Sequence, residues 1–169
     1  MNVRELSKAA VVSALMCIIS PFTIPVGGVP LSLATLGVYI SSVVLKPFYA
    51  VFSVLIYVLI GAFGLPVFSG ANGGVGVLLG PTGGFVAGYI ICALVSSFLR
   101  KKTGVAVSLV VGTVFLYLSG AAWFCFVTKS EIAEAVLLCV LPFLPGDALK
   151  ITASYVIGRK INSVCNKFV

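Results

Sequence analysis

The chain has 169 residues, 60% of them hydrophobic and 9% charged, with a mean hydropathy of +1.23 and a formal net charge of +7. A soluble domain carries roughly 25% charged residues, so this composition excludes one and predicts an integral membrane protein of about six helices of roughly 20 residues each, joined by short connections. The net positive charge does not indicate nucleic acid, because the basic residues sit at predicted helix ends and not in one patch interleaved with aromatics.

Residues 1–8 form a short polar start, MNVRELSK. A first span is predicted from Ala9 to Ile24, interrupted late by Pro21 and closed by Pro25 and Gly27-Gly28. It reads as a retained helix and not as a signal peptide, since no clear cleavage site follows it. Within it Ala10 and Ala14 make a small-xxx-small step, which lets two helix backbones approach closely, either inside the bundle or against a partner helix. A second span covers Leu31–Leu45 and stops at Lys46-Pro47, with Ser32 and Thr35 in its first turn placed to cap the helix or face a cavity. A third runs from Phe48 to Phe63.

The stretch Gly61–Gly84, GAFGLPVFSGANGGVGVLLGPTGG, then interrupts the apolar spans with half of the chain's 18 glycines and no charge. Glycine tolerates backbone conformations that a β-carbon forbids, and irregular backbone at membrane depth persists only where protein buries it or it lines a cavity. Flexible linkers are usually polar, whereas this one carries Leu65, Val67, Phe68, Val75, Val77, Leu78 and Leu79. It is therefore read as an ordered lid or binding loop, with a flexible linker as the plain alternative.

A fourth span, Phe85–Leu99, ends at Arg100-Lys101-Lys102, and a fifth, Val105–Val127, carries Tyr117 and Trp123. The piece Thr128–Pro142, with Lys129, Glu131 and Glu134, reads as a short amphipathic helix over one face. The sixth span opens at Pro145-Gly146-Asp147 and ends near Arg159-Lys160. The whole chain, 1–169, is predicted to be a single membrane domain. With the N-terminus inside, the cytoplasmic ends collect Arg4, Lys8, Lys46, Arg100, Lys101, Lys102, Arg159, Lys160 and Lys167, nine of the eleven basic residues. The positive-inside rule then predicts both termini in the cytoplasm of a multi-pass cell-membrane protein, with Gly61–Gly84 and Thr128–Asp147 sharing the outer face.

The chemistry concentrates in few residues. Asp147 and Lys150 lie three apart at the start of a spanning helix and project from one side. A lysine at the centre of a spanning helix costs roughly 3 kcal/mol, so such a residue is kept for a function or a charge partner. The plain alternative is an Asp helix cap beside a lysine reaching for the interface. A second polar set is Asn72 and Thr82 with the backbone amides of Gly73, Gly74 and Gly83. Asn72 donates and accepts at once, which suits an amide or urea-like group, and glycine amides can form a nest for a carboxylate; turn chemistry is the plain alternative for each. Tyr39, Tyr117 and Trp123 are candidates to wall an apolar pocket, with ordinary packing or an interfacial position as the plain alternative for each. The absence of histidine removes the commonest general base and metal ligand. The five cysteines, with no CxxC pair, read as small buried hydrophobes. No P-loop or dinucleotide fingerprint is present, and with four acidic residues neither catalysis, a cofactor nor a metal centre has much to work with.

The stretches VPLSLATLGVYIS (29–41), GAFGLPVFSGANGGVGVLLGPTGGFVAGY (61–89), the Thr113-Tyr117-Gly120-Trp123 pattern and LPFLPGDALK (141–150) resemble the BioY family. That family is the biotin-specific substrate-binding (S) component of energy-coupling-factor vitamin transporters. The resemblance covers most of the chain. It implies the six-helix S-component fold with both termini inside, and a biotin pocket beneath the loop before the fourth span. It also implies docking of the Ala10–Ala14 step on a transmembrane coupling protein that holds two ATPases. The substrate-binding candidates are then Asn72, Gly73, Gly74, Thr82, Asp147, Lys150, Tyr39 and Tyr117, with Asp147 accepting from a ureido N–H and Lys150 donating to the ureido carbonyl or holding Asp147. One departure is Ala34, where the family commonly has a glutamine in a T-L-Q-T-like segment. An S component for another small vitamin, or an accessory membrane subunit without its own ligand, are the competing readings.

Overall fold

The computed structural model of the chain describes the backbone of residues 3–24 and 31–167 and the side chains of 3–24 and 32–161. Pro25, Gly27 and Gly28, expected to close the first span, lie outside the described residues, as do the side chains of Cys165 and Lys167. The described elements are α1 (Val3–Ile19), β1 (Thr23–Ile24), β2 (Leu31–Ser32), α2 (Ala34–Val44), α3 (Pro47–Ala62), α4 (Val75–Leu79), α5 (Gly83–Thr103), α6 (Val105–Thr128), α7 (Ile132–Cys139) and α8 (Phe143–Lys167).

Proline and glycine set most of the breaks. The first helix starts earlier and stops sooner than Ala9–Ile24, ending at Ile19. Pro21 cannot continue the helical hydrogen-bond ladder and disfavours helical backbone at the residue before it. The chain beyond it becomes extended, and Thr23–Ile24 pairs antiparallel with Leu31–Ser32. Lys46 is held extended by the following Pro47, which occupies the first turn of α3, where no N–H is needed. Gly104, at φ 84°, turns the chain between α5 and α6. The helix after the loop begins at Gly83, not Phe85, and runs on through Arg100-Lys101-Lys102, whose charges suit a helix C-terminus.

Among the described residues, α5 and α6 are each long and apolar enough to cross a membrane, and α7 with α8, bent by 48°, can make a third crossing. The helices α2 and α3 are apolar but shorter. The segment expected to be an amphipathic helix over one face is α7, which instead exposes Ile132, Val136 and Leu137 while burying Ala135 and Cys139. That exposed side is apolar apart from Glu134, and α7 with α8 has the length and composition of a broken span or a re-entrant loop. The break falls where Pro142 removes a donor.

Helices α5 and α6 pack along one another, and α2 is the central element, touching α1, α3, α5, α6 and α8. Close approach of α5 to α6 requires small residues. A β-carbon on Gly88 would lie 2.5 Å from Ser119 Oγ and 2.7 Å from Leu116 Cδ1. In α1 the buried side is Ala9, Val12, Ser13 and Met16, which leaves Ala10 and Ala14 exposed. Ser13 Oγ donates to Ser53 O of α3 at 2.7 Å.

The two ends of the bundle differ. At one end the Arg100 guanidinium donates to the carbonyls of Ser42 (2.8 Å) and Val43, satisfying the C-terminus of α2. Lys101 and Arg159 flank the same groove. At the opposite end of α5 the glycine-rich loop and the start of α8 enclose a cavity.

Candidate functional site

The cavity has a volume of about 320 Å³, at the lower end of the roughly 300–1,000 Å³ common for small-molecule sites. Its walls come from every element around it. Ser32 enters from β2, Thr35 from the start of α2, Tyr57 from α3, and Phe68, Ser69 and Asn72 from the loop. Phe85, Val86 and Tyr89 come from one face of α5, Leu116 and Tyr117 from α6, and Phe143, Asp147 and Lys150 from α8. The i, i+1, i+4 spacing in α5 and the i, i+3 spacing in α8 put each set on one side of its helix.

Its polar centre is a buried network. Lys150 Nζ donates to Asp147 Oδ1 (2.9 Å), Thr35 Oγ1 (2.8 Å) and Ser32 O (2.8 Å). Thr35 in turn donates to Asp147 Oδ1 at 3.0 Å, and Tyr117 donates to Asp147 Oδ2 at 2.7 Å. Asp147 is 2% and Lys150 7% exposed. A pair so deeply desolvated persists only when both charges are hydrogen-bonded. All three ammonium protons are committed within the protein. The carboxylate, with about four acceptor sites, has three filled by the described residues, which leave one open on Oδ2. The helix start differs from the sequence expectation. Because α8 begins at Phe143, Asp147 lies beyond its first turn. It is no helix cap, and its partners are side chains of α2, α6 and α8. Pro145 fits because the first turn needs no intrahelical donor.

The loop is ordered by its own backbone. Phe68 N donates to Asn72 O (2.9 Å) and Asn72 Nδ2 to Ser69 O (2.9 Å), closing a tight turn that holds Gly70 at φ 72° and Ala71 at φ 57°. The Phe68 ring is 2% exposed, meets Tyr57 edge-on at 5.7 Å, and fills the space where a β-carbon of Gly61 would stand. From outside, Trp123 Nε1 donates to Gly80 O at 2.9 Å.

The predicted site residues therefore divide. Asp147, Lys150, Tyr117, Asn72 and Thr82 line one cavity. Gly73 and Gly74 do not. The Gly74 amide donates to Gly61 O at 2.7 Å, and a β-carbon on Gly73 would meet the Leu65 backbone, with Gly64 C at 2.9 Å. The Gly83 amide donates to Gly80 O at 3.0 Å. The Gly74 and Gly83 amides are thus spent within the loop's own hydrogen bonding. Tyr39 is fully buried behind the cavity wall, its hydroxyl 2.7 Å from Thr113 Oγ1, which itself donates to Leu109 O. Trp123 braces the loop from its outer side. Ala34 is buried in the core, its N–H donating to Ser32 Oγ at 2.9 Å. The residues that single-sequence reasoning passed over are Tyr57, Phe85 and Tyr89. Their only signal was aromatic character in an apolar segment, which ordinary packing also produces.

The comparisons with known proteins agree with one another. The BioY family pattern matches residues 1–167. The chain is 35% identical to "Biotin transporter BioY" of Thermotoga maritima over 165 residues, 95% of this chain and 97% of that one. It is 34% identical to "Probable biotin transporter BioY" of Pyrococcus horikoshii over 162 residues, 95% of this chain and 98% of that one. Its fold is similar to a crystal structure described as the S-component for biotin from an ECF-type ABC transporter. That match has a TM-score of 0.89 at 28% identity and covers 95% of this chain and 92% of the other. The chain belongs to the BioY family.

Proposed function

We propose that this protein is the biotin-binding membrane subunit of a vitamin transporter. It captures biotin in the cavity under the glycine-rich loop and delivers it across the cell membrane. The observation that carries this reading is the buried Asp147 carboxylate, fixed by Lys150, Thr35 and Tyr117 with one acceptor site open on Oδ2. A ureido ring offers two N–H groups and one carbonyl, and Asp147 Oδ2 takes one of those N–H groups. Lys150, with no proton to spare, positions Asp147 and does not touch the ligand. The aromatic and aliphatic walls receive the thiophane ring and valeryl chain. Asn72 and Thr82, on the more exposed loop side, serve the carboxylate end.

In the membrane the chain makes six crossings, α1, α2, α3, α5, α6 and the bent α7–α8 pair, with both termini in the cytoplasm. Clustering of Arg100, Lys101 and Arg159 at the end away from the cavity supports that orientation, so the cavity opens outward. Energy comes from a transmembrane coupling protein carrying two ATPases. The exposed Ala10 and Ala14, which the bundle leaves unused, offer the coupling protein a close-packing face.

Equilibrium binding of labelled biotin to the purified protein, with unlabelled biotin and desthiobiotin as competitors, tests the reading. Saturable binding near one per chain is expected. Replacing Asp147 by Asn removes a charged acceptor and is expected to weaken binding roughly 10–100-fold. Wild-type affinity in that variant would remove Asp147 from the site.

A further inference from the structure

Among the described residues, the hydrogen bonds around the cavity leave one buried donor uncommitted. The hydroxyl proton of Ser32 goes to Ser20 O at 2.9 Å, that of Tyr57 to Val67 O at 3.2 Å, and those of Thr35 and Tyr117 to Asp147. The three protons of Lys150 are also taken. Tyr89 is the exception. It is 7% exposed, lines the cavity from α5, and its hydroxyl has no hydrogen-bond partner among the described residues. Nor do the described residues seal that hydroxyl inside protein. Among the described residues, the one fully enclosed side-chain polar atom without a partner is Ser20 Oγ. A phenol that lines the cavity and has neither a partner nor complete enclosure among the described residues is available to the ligand space.

A buried tyrosine hydroxyl ordinarily finds a partner, and leaving one unmade costs about as much as a hydrogen bond contributes. We infer that the Tyr89 hydroxyl is a ligand-binding group that donates to the ureido carbonyl of the cargo, opposite the N–H taken by Asp147. The inference rests on the biotin reading. A cyclic urea needs both an acceptor for its N–H and a donor for its carbonyl. Asp147 supplies the first, and the committed protons of Lys150 leave the second to Tyr89. The remaining free donors, on Asn72, Ser69 and Thr82, are on less buried residues, suited to the opposite end of the ligand.

The test is Tyr89→Phe, which keeps the ring and removes only the hydroxyl, titrated with biotin and with biotin amide, in which the carboxylate is neutralised. About tenfold weaker binding of both ligands is expected, with an unchanged melting midpoint for the unliganded protein. Unchanged affinity for biotin in Tyr89→Phe, where the wild type binds, overturns the inference alone. A loss seen with biotin but absent with the amide assigns Tyr89 to the carboxylate end and also overturns it. No saturable binding of biotin by the wild-type protein overturns the cargo assignment and this contact with it.

Discussion

The start of α8 and the glycine-rich loop are the two polar interruptions at one end of an otherwise apolar chain, and they use their polarity in opposite ways. In α8, Asp147 and Lys150 turn inward onto α2 and α6 and leave one carboxylate site open to the cavity. In the loop, the amides of Gly74 and Gly83 close onto neighbouring carbonyls, and what reaches the cavity is mostly apolar surface with Asn72 and Thr82 at its edge. A buried charge must find several partners from different elements. A backbone amide finds one nearby and is then spent. On the proposed biotin reading, the buried charge builds the recognition group, while glycine builds the cover.

Breaking α8 is expected to have the largest consequence. Lys150→Met strands the Asp147 carboxylate, which should lower stability by about 3–5 kcal/mol in a thermal or denaturant melt. Adding Asp147→Asn to Lys150→Met should restore much of that stability, since the unpaired charge is gone, while biotin binding stays lost. Recovery of binding in the double variant would move recognition away from α8.

Loosening the cover is expected to do less. Trp123→Phe keeps an aromatic ring against α5 but loses the bond to Gly80 O, worth about 1 kcal/mol. A several-fold faster release of biotin in a chase experiment is expected, with the association rate nearly unchanged. Equal release rates would mean that the loop is held by its internal bonds and the Phe68 plug alone.

The smallest effect sharpens the boundary of the site. Tyr39→Phe removes the bond to Thr113 behind the wall and should cost about 0.6 kcal/mol of stability, with biotin affinity unaltered. A tenfold weaker affinity would place Tyr39 within reach of the ligand.

Much was legible in the sequence because the bilayer imposes its rules residue by residue. Hydropathy marked the helices, Pro21, Pro47 and Gly104 marked their breaks, and the isolated Asp147 and Lys150 stood out because charge is costly there. The i, i+3 spacing put those two on one side of a helix. Tertiary structure alone decided where that helix begins, and so that Asp147 is no cap. It also decided that Tyr117 and Thr35 complete the carboxylate's coordination, that Tyr39 stops one layer short of the cavity, and that Ala10 and Ala14 face outward. The reason is physical. Local spacing fixes the side of a helix on which a residue sits, but which atoms fill a donor's or acceptor's sites depends on elements far apart in the chain, such as Ser32 and Lys150. No periodicity reports whether a tyrosine in an apolar helix, such as Tyr39 or Tyr89, spends its hydroxyl on a neighbour or keeps it for a ligand.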